Sequence, residues 1–115
     1  MQRRKWRHRI QDILNAIDRI NSHVRGLDRE AFFASELVVD AVQRNFMVIG
    51  EAATHIPDEV TDVHPQVPWR QMRDMRNILI HIYWGVSPEI VWNTIQQDLP
   101  LLPPLLLRML DETSE

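Results

Sequence analysis

Arg76, His81 and Tyr83 fall in one short run, Trp69-Arg70-Gln71-Met72-Arg73-Asp74-Met75-Arg76-Asn77-Ile78-Leu79-Ile80-His81-Ile82-Tyr83, spaced as R-x4-H-x-Y. Asn77 directly follows the arginine. A guanidinium grips a phosphate bidentately and stabilises the charge of a pentavalent transition state. An imidazole removes a proton from a 2′-hydroxyl or returns one to a leaving 5′-oxygen. Asn77 can orient the histidine or donate to a phosphate oxygen. Together these groups suit metal-free cleavage of a phosphodiester beside a 2′-hydroxyl, which selects RNA over DNA. Arg70 and Arg73 extend the positive strip towards flanking phosphates. The same residue types also serve ordinary helix packing, and Asp74 and Glu51 are placed to tie up the arginines as salt bridges.

Helical geometry sorts the set. At about 100° per residue, Arg76 and Tyr83 are two turns apart and share a face. His81 is about 140° around from Arg76 and shares its own face with Asn77. Either the helix loosens near His81, or a second copy of the chain completes the site.

The elements that must position this run are helices. The chain has 115 residues, 44% hydrophobic and 25% charged, with three glycines, no cysteine and a net charge of −3. That predicts one soluble domain, residues 1–115, with a core of its own. The absence of cysteine removes disulfides, thiolate metal sites and a cysteine nucleophile. A basic N-terminus (Arg3, Arg4, Lys5, Arg7, Arg9) is followed by no apolar segment of the signal-peptide kind. No apolar run approaches the roughly 20 residues needed to span a bilayer. A cytoplasmic protein is expected. Its negative net charge leaves any nucleic-acid contact to a local patch. His55 and His64 flank a proline-bounded loop without the spacing of a metal site, and neither a metal nor a cofactor is expected.

Ile10, Ile13, Leu14, Ile17, Ile20 and Val24 form one helical stripe ending at Gly26. Asp28 starts a short helical turn, and Ser35 caps a long helix reaching about Ile56. The apolar positions of that helix, from Leu37 to Ala53, cover more than one face, so several neighbours or a second chain must pack on it. Gly50 within it costs about 1 kcal/mol against alanine and marks a close helix approach. Pro57 to Thr61 reads as one further turn, and Pro68 suits the start of the motif helix. Gly85 stops that helix. Ser87-Pro88-Glu89 starts another, with Ile90, Val91, Ile95 and Leu99 inward, and Pro100 breaks or kinks it. Leu101 to Leu110 resumes after Pro103-Pro104. The expectation is an all-α up-and-down bundle of four to five helices. Broad apolar faces and four tryptophans favour a homodimer.

The run Arg76 to Tyr83, with Pro68 to Arg73 before it and Arg44-Asn45 through Ile49-Gly50-Glu51-Ala52-Ala53 on the second long helix, resembles the HepT-like toxins of the HEPN superfamily. The resemblance implies a dimerising helical bundle, or a higher assembly of dimers, with metal-independent ribonuclease activity on transfer or messenger RNA. It implies Arg76 and His81 as the catalytic pair and Asn77 as the polar residue after the arginine. Glu51, in the Gly50-Glu51-Ala52 run, is a candidate to position the arginine. Tyr83 corresponds to the acceptor of AMP groups from a partner antitoxin, a minimal nucleotidyltransferase of the MntA type. An AMP on the Arg76 face would compete for the arginine and obstruct the cleft. Asp74 departs from the family, where a small residue is frequent, and an acid there would weaken RNA affinity. Two other readings compete. One is a non-catalytic helical dimer that docks a nucleotidyltransferase. The other is a DNA-binding helical dimer, disfavoured because no helix presents a basic base-reading face after a short turn.

Overall fold

The computed structural model describes the backbone of residues 2–83 and 88–112, and the side chains of 5–76 and 89–112. The expected fates of Trp84, Gly85 and Ser87 lie outside the described residues. The described chain is all helical: α1 (Gln2–Val24), α2 (Arg29–Ala34), α3 (Glu36–Thr54), α4 (Asp58–Thr61), α5 (Trp69–Tyr83), α6 (Pro88–Asn93) and α7 (Leu102–Glu112). No described helix is long and apolar enough to cross a membrane.

The apolar stripe of α1 is buried at all six expected positions. Gly26 ends it with φ of 79°, a left-handed turn that lets Leu27 N–H close on the Val24 carbonyl at 2.9 Å. Asp28 Oδ1 accepts from Ala31 N at 2.8 Å, and Ser35 Oγ accepts from Val38 N at 3.2 Å. These side chains fix the starts of α2 and α3 by satisfying amides that have no partner within the helix. An Arg29–Glu89 ion pair links α2 to α6.

Helix α3 packs against both α1 and α5, which accounts for its broad apolar surface. Val42, Phe46 and Ile49 are fully buried, whereas Leu37 is 81% exposed. Beyond α4, the loop to α5 is closed by Trp69, whose Nε1–H donates to the His64 carbonyl at 3.0 Å. Pro68 sits just before α5, and its carbonyl accepts from Met72 N at 3.0 Å.

The last segment is interrupted around Pro100, as expected, by a change of helix type. After α6 the chain widens into a π turn (Thr94–Asp98), tightens into a 3₁₀ turn (Leu99–Leu101) and continues directly as α7. Pro100 has no N–H to offer the ladder, and Leu99 N–H reaches back to the Thr94 carbonyl instead. Pro103 and Pro104 then fall in the first turn of α7, where no amide is required of them. Val91, Ile95 and Leu99 point inward as expected, but Ile90 is 47% exposed. The buried stripe steps by four residues and leaves Ile90 at its edge. Trp92 packs against Phe32 with ring centroids 5.2 Å apart and the planes tilted by 37°.

Candidate active site

The α3–α5 seam is set by Gly50. A Cβ on this residue would lie 2.7 Å from Arg76 N, 3.0 Å from Arg76 Cβ and 3.1 Å from the Arg73 carbonyl oxygen. The missing side chain therefore lets the backbone of α5 settle directly onto α3, as the sequence suggested. The register follows. Arg76 meets Gly50 and Glu51, while Arg73, one turn earlier, donates from Nε to the Ala53 carbonyl at 3.4 Å. The two helices thus run antiparallel.

Next to the glycine, Arg76 Nη1 donates to Glu51 Oε2 at 3.1 Å. Both side chains are about half exposed, 44% for Arg76 and 51% for Glu51. A pair this open contributes on the order of 0.2–1 kcal/mol. It aims the guanidinium without sequestering it, and an incoming phosphate can take over its donors.

Arg73 is more structural than the positive strip implied. Half-buried, it adds a donor to a carbonyl in the last turn of α3 that also accepts from Ile56 N at 3.3 Å, where a cation is favoured by the helix dipole. Arg70 is exposed. Among the described residues Asp74 pairs with neither Arg73 nor Arg76. It lines a cleft of about 230 Å³ with Thr94, Asp98 and Leu101, on the side of α5 away from Glu51. The acid therefore lies off the Arg76 face.

Asn77, His81 and Tyr83 belong to α5, but their side chains lie outside the described residues, and so does any contact between two copies of the motif. The backbone does bear on the geometry, because α5 is a single α-helix from Trp69 to Tyr83. It does not loosen near His81. Among the described residues no three His, Asp or Glu side chains gather as a metal-binding group. His64 is buried, and its carbonyl holds Trp69.

The structure adds two residues near the seam that the sequence did not connect to it. Arg9 and Asp12 of α1 face Met47, Val48, Glu51 and Ala52 of α3 across a groove of about 290 Å³. Glu51 thus borders this groove and pairs with Arg76. Only the packing of α1 on α3 brings these residues together. The sequence placed Arg9 in its basic N-terminal run and both residues beside the α1 stripe, but tied neither to the motif.

Residues 13–109 match the family model described as "Ribonuclease HepT-like". The chain is 37% identical over 100 residues to a protein of Thermococcus cleftensis named "Probable ribonuclease HepT", covering 87% of this chain and 91% of that one. It is 32% identical over 103 residues to a Methanocaldococcus jannaschii protein named "Gamma-glutamylcyclotransferase and putative RNase", covering 90% of this chain but 46% of that one. A Caldanaerobacter subterraneus protein named "Putative RNase" is 34% identical over 93 residues, covering 81% and 83% of the two chains. No solved structure matches.

Proposed function

The chain belongs to the HepT-like ribonuclease family of the HEPN superfamily, and on that premise we propose that it is a metal-independent endoribonuclease toxin using Arg76 and His81. The observation that carries this reading is the Arg76 guanidinium, seated by Gly50, aimed by Glu51 and still half open to an incoming phosphate. Arg76 binds the scissile phosphate and stabilises the added charge of the pentavalent state. His81 takes the proton of the 2′-hydroxyl, whose oxygen attacks phosphorus. The 5′-oxygen leaves with a proton, giving a 2′,3′-cyclic phosphate and a 5′-hydroxyl.

Positions 76 and 81 fall about 140° apart around an unbroken helix. A homodimer answers this by bringing the arginine of one protomer towards the histidine of its partner, with one imidazole as base and the other as acid. Asn77 orients the imidazole. Tyr83 shares the Arg76 face and is the acceptor of AMP from a cognate MntA-type nucleotidyltransferase, which silences the toxin.

The test is incubation of the purified protein with RNA in EDTA, beside Arg76→Ala and His81→Ala. Cleavage by the wild type only is expected. A strict metal requirement overturns the acid–base mechanism. If all three proteins bind the nucleotidyltransferase and none cuts RNA, the chain is a docking module instead.

A further inference from the structure

Resting on the ribonuclease reading, we infer that the groove between α1 and α3 is a subsite for a guanine base of the RNA, beside the phosphate held by Arg76. The floor is apolar: Met47 is 40% exposed, Val48 is half-buried and Ala52 is buried. Its polar border is Arg9, Asp12 and Glu51. Two carboxylates against one arginine disfavour a phosphate in the groove itself. An apolar floor with acceptors on the rim suits a flat ring that presents donors at its edge.

The acceptors are only partly spent. Glu51 uses Oε2 for Arg76, and among the described residues the Asp12 side chain has no hydrogen-bond or ion-pair partner. Guanine alone among the four RNA bases presents two adjacent donors, N1–H and N2–H, on its Watson–Crick edge. A carboxylate accepts both in parallel, as it accepts a guanidinium. Adenine, cytosine and uracil each set their donor beside an acceptor that repels a carboxylate. In this arrangement Asp12 reads the base edge, Met47 and Val48 support one face, and the half-buried Arg9 guanidinium stacks on the other. Glu51 joins the groove to the Arg76 seam, so the base and the scissile phosphate belong to neighbouring nucleotides.

Cleavage of a randomised RNA pool by the full chain, with cut ends sequenced, should show guanine enriched at one fixed position beside the cut. Replacing that guanosine by inosine, which lacks the N2 amine, should lower kcat/KM by about 10- to 100-fold, the scale of one hydrogen bond to a charged acceptor. In Asp12→Asn the guanine-to-inosine ratio should collapse towards unity. Cutting without base preference, a preference for another base, or a guanine preference that survives Asp12→Asn overturns the subsite and leaves the ribonuclease reading standing. Absence of cleavage in the wild type overturns that reading and the subsite with it.

Discussion

The backbone nitrogen of Arg76 occupies space that any side chain on Gly50 would need, at 2.7 Å from the position of a Cβ. The glycine is therefore a condition for the antiparallel α3–α5 seam, and the arginine is held at its closest point. Helix propensity favours alanine at position 50 by about 1 kcal/mol, but the atom in the way is backbone and cannot rotate aside. Gly50→Ala should therefore destabilise the fold by about 1–3 kcal/mol, the cost typical of forcing atoms into a packed interior. Urea unfolding monitored by circular dichroism measures this. RNA cleavage should fall further than stability explains, because α5 must move and Arg76 with it. Unchanged stability and activity would show that the seam is looser than these distances imply.

Glu51 is a positioning residue or a competitor of phosphate, and the two roles predict opposite signs. Its pairing with Arg76 is half exposed, so Glu51→Ala should change stability by no more than about 1 kcal/mol. If the carboxylate aims the guanidinium, kcat should drop about 10-fold with KM little altered, because the loss falls on transition-state contacts. If it only competes, RNA should bind more tightly and kcat should hold. We expect the first result, and steady-state kinetics on a short oligoribonucleotide separates the two.

The sequence displayed the helices well because their signals are local. The α1 stripe, the Asp28 and Ser35 caps and the Gly26 stop each involve residues within four or five positions, and each is present. Gly50 was legible for a related reason: a glycine in a helix carries a cost that only a close neighbour explains. An interruption at Pro100 was legible from its missing N–H, but its form, a π turn followed by a 3₁₀ turn, was not. Within the site, Arg76, Glu51 and Arg73 could be singled out from the motif run and its family likeness. Which arginine meets Glu51 and which meets the Ala53 carbonyl is decided by the register of two helices, and no local pattern encodes it. Arg9 and Asp12 were hidden for the same reason, being far from the motif in sequence and near it only across the α1–α3 groove.

Trp69 makes a separable structural contribution at the start of α5. It is 7% exposed and donates Nε1–H to the His64 carbonyl, closing the loop that delivers the motif helix. Trp69→Phe keeps most of the apolar surface and removes one of the two donors of that carbonyl, which still accepts from Val67 N at 3.2 Å. The expected loss is about 0.5–1.5 kcal/mol, the net worth of one hydrogen bond, read from denaturant midpoints. Specific activity per folded molecule should hold if Trp69 acts only on the fold. A loss of activity at full folding would give the ring a direct part in RNA binding.

Tyr83 offers the sharpest test of regulation because it should separate silencing from catalysis. It lies two helical turns beyond Arg76 on an unbroken α5, which puts both residues on one face. An AMP joined to its phenol oxygen brings a phosphodiester and a base to that face, where the new phosphate competes with RNA for Arg76. Tyr83→Phe removes only the hydroxyl proposed to accept the group. The variant should cut RNA at close to the wild-type rate and should resist inactivation by the nucleotidyltransferase and ATP. Intact mass spectrometry should show a gain of whole AMP units on the wild type after that treatment, and no gain on the variant. If Tyr83→Phe is modified and silenced like the wild type, the acceptor lies elsewhere. If it cuts no RNA while fully folded, the phenol belongs to the catalytic cleft itself.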